Sequence, residues 1–465
     1  MNKELGMKNL RSLRFLVLIF MIYSLSGCIR QPSFRYSQYY DAGQYDEAAE
    51  SLGLTAEQMR TPDSGVLLGY LNAGVALRYS GAKKRSSAIF DMVETITKAN
   101  DEQFLLGKAG ASLGAVLLND TILDYRPTQC ESVMVNTYKA LNFWQEGRID
   151  LARVEFNRAL DRQRRAKELF AREIAELQDE MASNKDSDGI QKTVENPEIN
   201  KILANKYSTL HAFEPYPDFI NPFTTYLAGL FFMSQGDRGK ALPLLKEAYG
   251  MMEENPVVEK DFAILDGEMA GDDSHLTWVI FENGLGPDKE EMRIDLPLFL
   301  ATDEVFYSGI ALPRLHLREL AHSHLVLMDG QSRVLDETIS LASMDRVIQT
   351  EFKKRYPLIL TRALASALVK TTMQYAAKKN MGDLAGLLVS AIQATTTSAD
   401  LRIWSGLPKE FQIARIPTPL DGKLAIETPE GAHLDILLPA GHDNLIYVKS
   451  PRSDASLYYD IIPMR

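Results

Sequence analysis

Three histidines lie close together in the chain and are the side chains best placed to bind a metal ion. They are His316, His322 and His324, with Glu319 among them. If His322 and His324 lay on one strand, their side chains would point to the same face, as two ligands of one ion must. No distant Cys or paired His completes such a set. The sequence therefore predicts surface imidazoles here and no metal site.

Motifs for catalysis or phosphate binding are absent from the sequence. There is no Gly-x-Ser-x-Gly, no His-Glu-x-x-His, no Walker loop and no paired Cys motif. The segment Asn283-Gly-Leu-Gly-Pro has the glycines of a phosphate loop, but the acidic residues that follow would repel phosphate, so we predict a turn between strands. Acid pairs suited to glycan cleavage, such as Glu282 with Glu291, arise by chance in an acidic protein. We predict a protein that is not an enzyme and has no cofactor.

The first thirty residues have the order of a secretory signal peptide. Basic residues precede an apolar run at 15–23 that is too short to span a bilayer, and Leu25-Ser26-Gly27-Cys28 follows. The cysteine after Leu-Ser-Gly resembles the lipobox of bacterial lipoproteins. That resemblance implies cleavage before Cys28, acylation of Cys28 and attachment of the mature chain to a membrane. An uncleaved signal anchor with an incidental cysteine is the alternative.

Charge and cysteine content limit the partners and the compartment. The net charge is −11, and loss of the basic signal peptide makes the mature chain more acidic still, which argues against binding to nucleic acid. Ile29 follows the cysteine where the enterobacterial sorting rule requires Asp for retention, so we expect the outer membrane and its periplasmic face. Cys130 has no second cysteine to pair with, and we predict a buried structural thiol, with a reactive thiol as the alternative.

Residues from about 34 to 262 are predicted to form successive helices with a recurring pattern. Two windows match the tetratricopeptide pattern of small residues and one large apolar residue, and they turn at Gly147 and Gly236. Two weaker windows precede them. The positions are Ala140, Phe143, Ala152, Phe156 and Ala159; Gly229, Phe232, Ala241, Leu245 and Ala248; Gly74, Ser86, Phe90 and Val93; and Tyr36, Tyr39, Ala48 and Leu52. We predict an all-α tetratricopeptide-like domain over 28–262, with an irregular helical bundle as the alternative.

The pattern changes after residue 263. Short runs rich in β-formers alternate with Gly, Pro and Asp up to about residue 330, helical sequence occupies 344–397, and further β-rich runs reach the C-terminus. We predict an α+β domain over 263–465 in which antiparallel strands flank a helical insertion and return to the same sheet. With the signal peptide at 1–27, the fold class is α+β multidomain.

Several segments resemble an uncharacterised family of proteobacterial lipoproteins with a tetratricopeptide-like helical front half. Besides the lipobox they are Tyr138-Lys-Ala-Leu-Asn-Phe-Trp, Phe281-Glu-Asn-Gly-Leu-Gly-Pro and Trp404-Ser-Gly-Leu-Pro. The resemblance implies a location in the cell envelope and no established activity, so it assigns no catalytic residue.

We therefore expect an outer-membrane-anchored periplasmic lipoprotein that acts as a non-catalytic interaction scaffold in envelope assembly or maintenance. Stacked hairpins would offer a concave surface to a periplasmic or outer-membrane protein, with Tyr138, Asn142 and Tyr226 as contacts. The alternative is an envelope enzyme or a module that binds peptidoglycan or another glycan, with Trp278 and Trp404 near its site. A third interpretation makes the Ala-rich helices of residues 358–392 a docking element for an export or assembly machine.

Overall fold

The computed structural model describes residues 32–105, 124–182, 196–207, 215–216, 220–252, 255–269, 274–299, 305–381 and 398–464. Helices fill most of the first half, and one long helix interrupts the strands of the second. The helices are α1 Pro32–Asp41, α2 Tyr45–Ser51, α3 Leu67–Tyr79, α4 Lys83–Leu105, α5 Gln129–Gln145, α6 Ile149–Ala182, α7 Pro197–Lys206, α8 Pro222–Ser234, α9 Arg238–Met251, α10 Pro256–Asp266 and α11 Met344–Met381.

Helices pack as hairpins where the sequence windows predict them. The pairs are α1 with α2, α3 with α4, α5 with α6, and α8 with α9. Each pair turns through a glycine with a left-handed backbone, a conformation that other residues rarely adopt, at Gly43, Gly81, Gly147 and Gly236. The repeating small residues Ala48, Ser86, Ala152 and Ala241 are all buried. The helical hairpins with tetratricopeptide-like spacing are thus present in the structure.

Close approach within a hairpin depends on a missing side chain in the first helix. A Cβ atom added at Gly74 in α3 would lie 2.4 Å from Cε1 of Phe90 in α4, and one added at Gly229 in α8 would lie 2.8 Å from Cδ2 of Leu245 in α9. Phe90 and Leu245 are fully buried. The large residue of the second helix therefore fills the space that glycine leaves.

We expect Gly74→Ala to destabilise the protein although alanine favours helix. Overpacking against Phe90 costs about 1–3 kcal/mol, against a propensity gain of about 1 kcal/mol, so the free energy of unfolding should fall. Gly250→Ala in α9 is the matched control, because an added Cβ there meets nothing within 4 Å. It should raise the unfolding free energy slightly. Urea titration measures both, and a stabilised Gly74→Ala variant would contradict the packing argument.

The strands of the described chain form a five-stranded, a four-stranded and a two-stranded sheet. Their orders are β11-β10-β1-β7-β6, β5-β4-β8-β9 and β2-β3. The strands are β1 Leu276–Asn283, β2 Asp288–Phe299, β3 Val305–His316, β4 Val326–Asp329, β5 Val334–Glu337, β6 Ile339–Ser343, β7 Glu410–Pro417, β8 Lys423–Glu427, β9 His433–Leu437, β10 Asp443–Ser450 and β11 Tyr458–Met464.

The order of the large sheet agrees in part with the sequence prediction. Strand β7, which follows the helical insertion α11, pairs with β1 and β6 from before it, so the chain does return to the same sheet. The expected antiparallel arrangement holds for the other described strand pairs, whereas β1 and β10 pair in parallel. Parallel pairing suits a strand that is covered on both faces.

The five-stranded sheet lies between the helical hairpins and the four-stranded sheet. Alternate residues of β1 face opposite layers: Trp278 and Ile280 belong to the core shared with the hairpins, and Val279 and Phe281 belong to the core shared with the four-stranded sheet. The core on the hairpin side runs from Tyr36 in α1 to Met464 in β11. A boundary near residue 263 separates helices from strands in the sequence, but the main core crosses it.

The two-stranded ribbon packs beside this stack with α11 and α7. Ile294 and Ile310 from the ribbon share a core with Leu364 of α11 and Ile199 of α7. Ala367, from the helix considered as a docking element, is buried in the same core. The second Ala-rich stretch predicted there lies outside the described residues.

The start of α11 contains a buried carboxyl whose titration should make the free energy of unfolding depend on pH. Burial raises the pKa of Asp345 from 3.8 to about 6, although Lys409, with its Nζ 2.5 Å away, opposes the shift. Between pH 4 and 6 the folded state therefore binds more protons than the unfolded state, and the free energy of unfolding falls as pH rises through that window. A shift of this size corresponds to about 3 kcal/mol.

We expect Asp345→Asn to remove that decline. Relative to the parent protein, its free energy of unfolding should rise between pH 4 and 7, as measured by urea titrations at each pH. Asp421→Asn, at an exposed turn residue, serves as the control and should follow the parent. Parallel pH profiles for the parent and Asp345→Asn would rule out the assigned titration.

Candidate functional site

Strand register brings two charged residues together inside the molecule. Glu282 near the end of β1 is the register partner of Lys449 in the parallel strand β10. Both side chains are fully buried, and Lys449 Nζ lies 3.1 Å from Glu282 Oε1. Such a pair is stable only when further hydrogen bonds satisfy the remaining polar atoms.

Tyrosines supply those hydrogen bonds. The hydroxyl of Tyr138 in α5 donates to Glu282 Oε1 at 2.7 Å, and that of Tyr447 in β10 donates to Oε2 at 2.8 Å. Tyr79 at the end of α3 also donates to Oε2. We call Glu282, Lys449 and these three tyrosines the Glu282 cluster. It ties two hairpins to the central sheet.

Arg78 adds another buried cation beside this cluster. Its guanidinium lies 5.2 Å from the ring centroid of Tyr447 and 5.7 Å from that of Tyr138. Arg78 Nη1 donates to Asn142 Oδ1 at 2.5 Å, and Asn142 Nδ2 donates to Ser86 and Ser87. Asn142 therefore orients a core arginine and faces no solvent.

Burial dominates the protonation of the Glu282 cluster. Burial, and next the Glu282 carboxylate, raise the pKa of Tyr138 and of Tyr79 well above the ordinary value. Burial also lowers the pKa of Lys449, and Glu282 opposes that shift. The tyrosines thus remain neutral donors at physiological pH, as an internal hydrogen-bond network requires.

An open cleft lies above this cluster. It has a volume of about 290 Å³ and is bordered by the α1–α2 turn, the end of α3 and the connection between β10 and β11. Its lining includes Gln44, Tyr45, Tyr79, Ser80, Ser456 and Tyr458. The rings of Tyr79 and Tyr458 are in edge contact, with centroids 5.2 Å apart. Tyr45 and Tyr79 are buried and Tyr458 is half-buried, so the cleft offers mainly polar side chains with one aromatic edge.

An amine with a lowered pKa lies close to the cleft. Lys83 Nζ donates to the carbonyl of Arg78 at 2.7 Å, lies 2.7 Å from Asp460 Oδ2 and also donates to the Tyr458 hydroxyl. Burial, and next Arg78, lower its pKa to about 8. Since three acceptors surround it and it is buried, Lys83 mainly holds Tyr458 in place at the cleft.

Tyr226 and Trp278 meet at a second buried carboxylate. Asp261 Oδ2 in α10 accepts from the Tyr226 hydroxyl at 2.6 Å and from Trp278 Nε1 at 3.0 Å. Arg415 Nη1 in β7 lies 3.2 Å from Asp261 Oδ1. We call these four residues the Asp261 cluster. It joins α8 and α10 to the central sheet.

The residues predicted as partner contacts are core residues, which corrects that interpretation. Tyr138, Asn142, Tyr226, Trp278 and Trp404 are each at most 2% exposed. The Trp404 ring packs edge-on against Tyr138 and Phe90, with centroids 5.9 Å apart in both contacts. The inner faces of the hairpins bind the central sheet of the same chain. The concave surface expected to be free is therefore occupied.

Other sequence candidates are separated or internally bonded. His322 and His324 precede β4 and are not part of it. The expectation of a surface imidazole is wrong for His322, which is buried and bonds Glu430 and Ser450. His324 lies 3.7 Å from Glu337. His316 pairs with Asp288 at 3.0 Å. Cys130 is buried, and burial raises the pKa of its thiol well above the ordinary value. Cys28 lies outside the described residues.

The acid pair considered for glycan cleavage is split between two sheets. Glu282 lies in the cluster described above, whereas Glu291 in β2 accepts from the backbone N–H of Ala399 at 3.0 Å. Asn283, which ends β1, is buried and accepts from the N–H groups of Ala321 and His322. The segment 284–287 after β1 bends at Gly284 and leads directly into β2.

The sequence reasoning missed Lys449, Arg78, Asp261 and Arg415. For Lys449 the sequence does carry a signal. Like Glu282, it lies at the end of an apolar run typical of a buried strand, so its side chain is expected inside the sheet. Arg78 and Asp261 lie on helices whose sequence pattern does not indicate that these charged side chains are buried.

Comparisons with known proteins add little to this geometry. No family model and no curated protein matches the chain. Among solved structures, the chain is similar to MamA AMB-1 at 17% identity and to a tetratricopeptide repeat protein from Parabacteroides merdae at 15% identity. Each match covers 50% of this chain and 97% of the other, with TM-scores of 0.19 and 0.13. At such scores the likeness does not extend what the hairpin contacts already establish.

Within the part of the chain that the structure describes, no helix is long and apolar enough to cross a membrane.

Proposed function

We propose that the protein is an outer-membrane lipoprotein, anchored through acylated Cys28 on the periplasmic face, that acts as a non-catalytic interaction module in cell-envelope assembly or maintenance. The observation that carries the proposal is the basic and apolar leader ending in Leu25-Ser26-Gly27-Cys28. Two or three acyl chains, at about 0.8 kcal/mol per buried methylene, anchor a protein stably.

The cleft is the surface we assign to the partner. The hairpins' inner faces pack on the central sheet, so they are closed to a ligand. The cleft presents the half-buried Tyr458 with serine, glutamine and acidic side chains around it. A rigid aromatic ring beside adaptable polar groups gives contact area at low entropic cost, which favours binding of a protein segment.

Anchoring is tested by Cys28→Ser. We expect this variant to lose acylation by mass spectrometry and to leave the membrane fraction in flotation gradients. Cys130→Ser is the matched control, since it removes the other cysteine, and it should remain membrane-bound. Retention of Cys28→Ser on membranes would contradict lipid anchoring.

Partner binding is tested with a photo-crosslinking amino acid in living cells. Probes at Gln44 and Ser456, both exposed at the cleft, should capture one envelope protein. A probe at Asp435, whose side chain is 89% exposed on β9, should not capture it. Equal capture of the same protein from all three positions would contradict the assignment of the cleft as the binding surface.

Glycan binding at the same cleft is the second candidate, because tyrosine faces also stack on sugars. Purified peptidoglycan should then retain the protein, and Tyr458→Ala should weaken retention more than Tyr459→Ala, which changes an adjacent residue outside the cleft lining. Equal retention of both variants would exclude it.

A further inference from the structure

The folded body begins almost at the lipid-bearing residue. Four peptide links separate Cys28 from Pro32, where α1 starts, so their Cα atoms are at most about 15 Å apart. Tyr36 and Tyr40 in α1 are each 1% exposed. The first helix is therefore embedded in the core and cannot serve as a free tether. If Cys28 is acylated, as the proposed function requires, the body lies next to the bilayer.

Two other segments adjoin α1 on the protein surface. The Tyr40 hydroxyl donates to the carbonyl of Gly406 at 3.0 Å. Arg318 Nη2 donates to the carbonyl of Ser405 at 3.2 Å. The loop 317–320 and the segment 401–406 are thus joined to each other and to α1.

These three segments each expose an apolar side chain. The exposed fraction is 60% for Phe34, 44% for Leu317, 39% for Leu320 and 39% for Leu401. Single exposed leucines are ordinary on protein surfaces. Here the segments meet α1 at Tyr40, about 12 Å along the helix from Pro32. The bilayer is the phase that attachment at Cys28 brings within reach of them.

We infer that the surface formed by the first turn of α1, the loop 317–320 and the segment 401–406 rests on the bilayer that holds Cys28. The occupant is a lipid surface, and the inference rests on the proposed lipid anchor. The body is then seated at the membrane and cannot extend across the periplasm on a linker, so a partner must meet it at the membrane surface.

Depth-sensitive fluorescence on the acylated full-length protein tests this seating. Leu320→Cys and Leu401→Cys, each in a Cys130→Ser background and labelled with NBD, are reconstituted in phosphatidylcholine vesicles containing a nitroxide lipid. Leu437→Cys is the matched control, since Leu437 is 71% exposed on β9 of the four-stranded sheet. Phe34 is left unlabelled because its closeness to Cys28 along the chain would quench a probe in any orientation.

We expect nitroxide quenching to be several-fold stronger at positions 320 and 401 than at position 437. Equal quenching at all three positions, in protein shown to be acylated and vesicle-bound, would overturn the seating while leaving the lipid anchor intact. Absence of acyl chains by mass spectrometry would instead overturn the proposed function and, with it, the seating. Unchanged circular dichroism confirms that the labelled variants are folded.

Discussion

Replacing Glu282 with alanine should lower the free energy of unfolding by about 3–5 kcal/mol, the cost of leaving a buried partner charge alone. Lys449 would keep its ammonium in the protein interior without the carboxylate 3.1 Å away. The hydroxyls of Tyr79, Tyr138 and Tyr447 would also lose their common acceptor. Each unsatisfied buried donor adds about 1–3 kcal/mol, so 3–5 kcal/mol is a minimum estimate of the lost stability.

The double variant Glu282→Ala with Lys449→Met separates charge burial from packing. Removing both charges should recover a large part of the loss, because the uncompensated ammonium is gone. Asp435→Ala is the control: an acidic residue that is 89% exposed on β9, whose loss should change stability by less than about 0.5 kcal/mol. Urea titration followed by tryptophan fluorescence reports all three, since Trp278 and Trp404 are buried in the shared core.

The same experiment asks whether helices and sheets unfold together. The Glu282 cluster joins α3 and α5 to β1 and β10, within a core that reaches from α1 to β11. We expect a single transition for the parent protein. If Glu282→Ala lowered the free energy of unfolding no more than Asp435→Ala does, the Glu282 cluster would not be what holds these layers together.

Local features of the fold were predictable from the sequence because their signals are local. The second helix of each hairpin places a small residue and then a large one four positions later, as in Ala152 and Phe156, and a glycine marks each turn. The charged, periodic sequence from Asp150 to Met181 is enough to predict one long helix, and α6 runs from Ile149 to Ala182. Spacing along one chain segment is sufficient for such elements.

Long-range pairing could not be derived in the same way. Strands β1 and β10 pair in parallel although the whole helical insertion and several strands separate them. The contact between hairpins and sheet is equally non-local. A polar residue on the inner face of a helix, such as Tyr138 or Asn142, looks the same in sequence whether a ligand or the chain's own strand satisfies it. Only the fold distinguishes the two.

Replacing Asp261 with alanine is the other change expected to cost about 3–5 kcal/mol of unfolding free energy. Arg415 is 5% exposed, and its Nη1 lies 3.2 Å from Asp261 Oδ1. The substitution would leave this guanidinium buried without its carboxylate and would remove the acceptor shared by Tyr226 and Trp278. Burial raises the pKa of Asp261 while Arg415 opposes that shift, so the pair offsets part of the cost of burying each charge.

Asp266→Ala in the same helix is the matched control, because Asp266 is exposed, and it should stay within about 0.5 kcal/mol of the parent. Asp261→Asn should fall between the two, since its amide oxygen can still accept the hydrogen bonds of Tyr226 and Trp278 but carries no charge for Arg415. Adding Arg415→Met to Asp261→Ala should recover part of the loss, because the unpaired cation is then removed although Tyr226 and Trp278 still lack their acceptor. Guanidinium titrations measure the series. If Asp261→Ala and Asp266→Ala unfold at the same denaturant concentration, the junction of α8, α10 and the central sheet must depend on apolar packing alone.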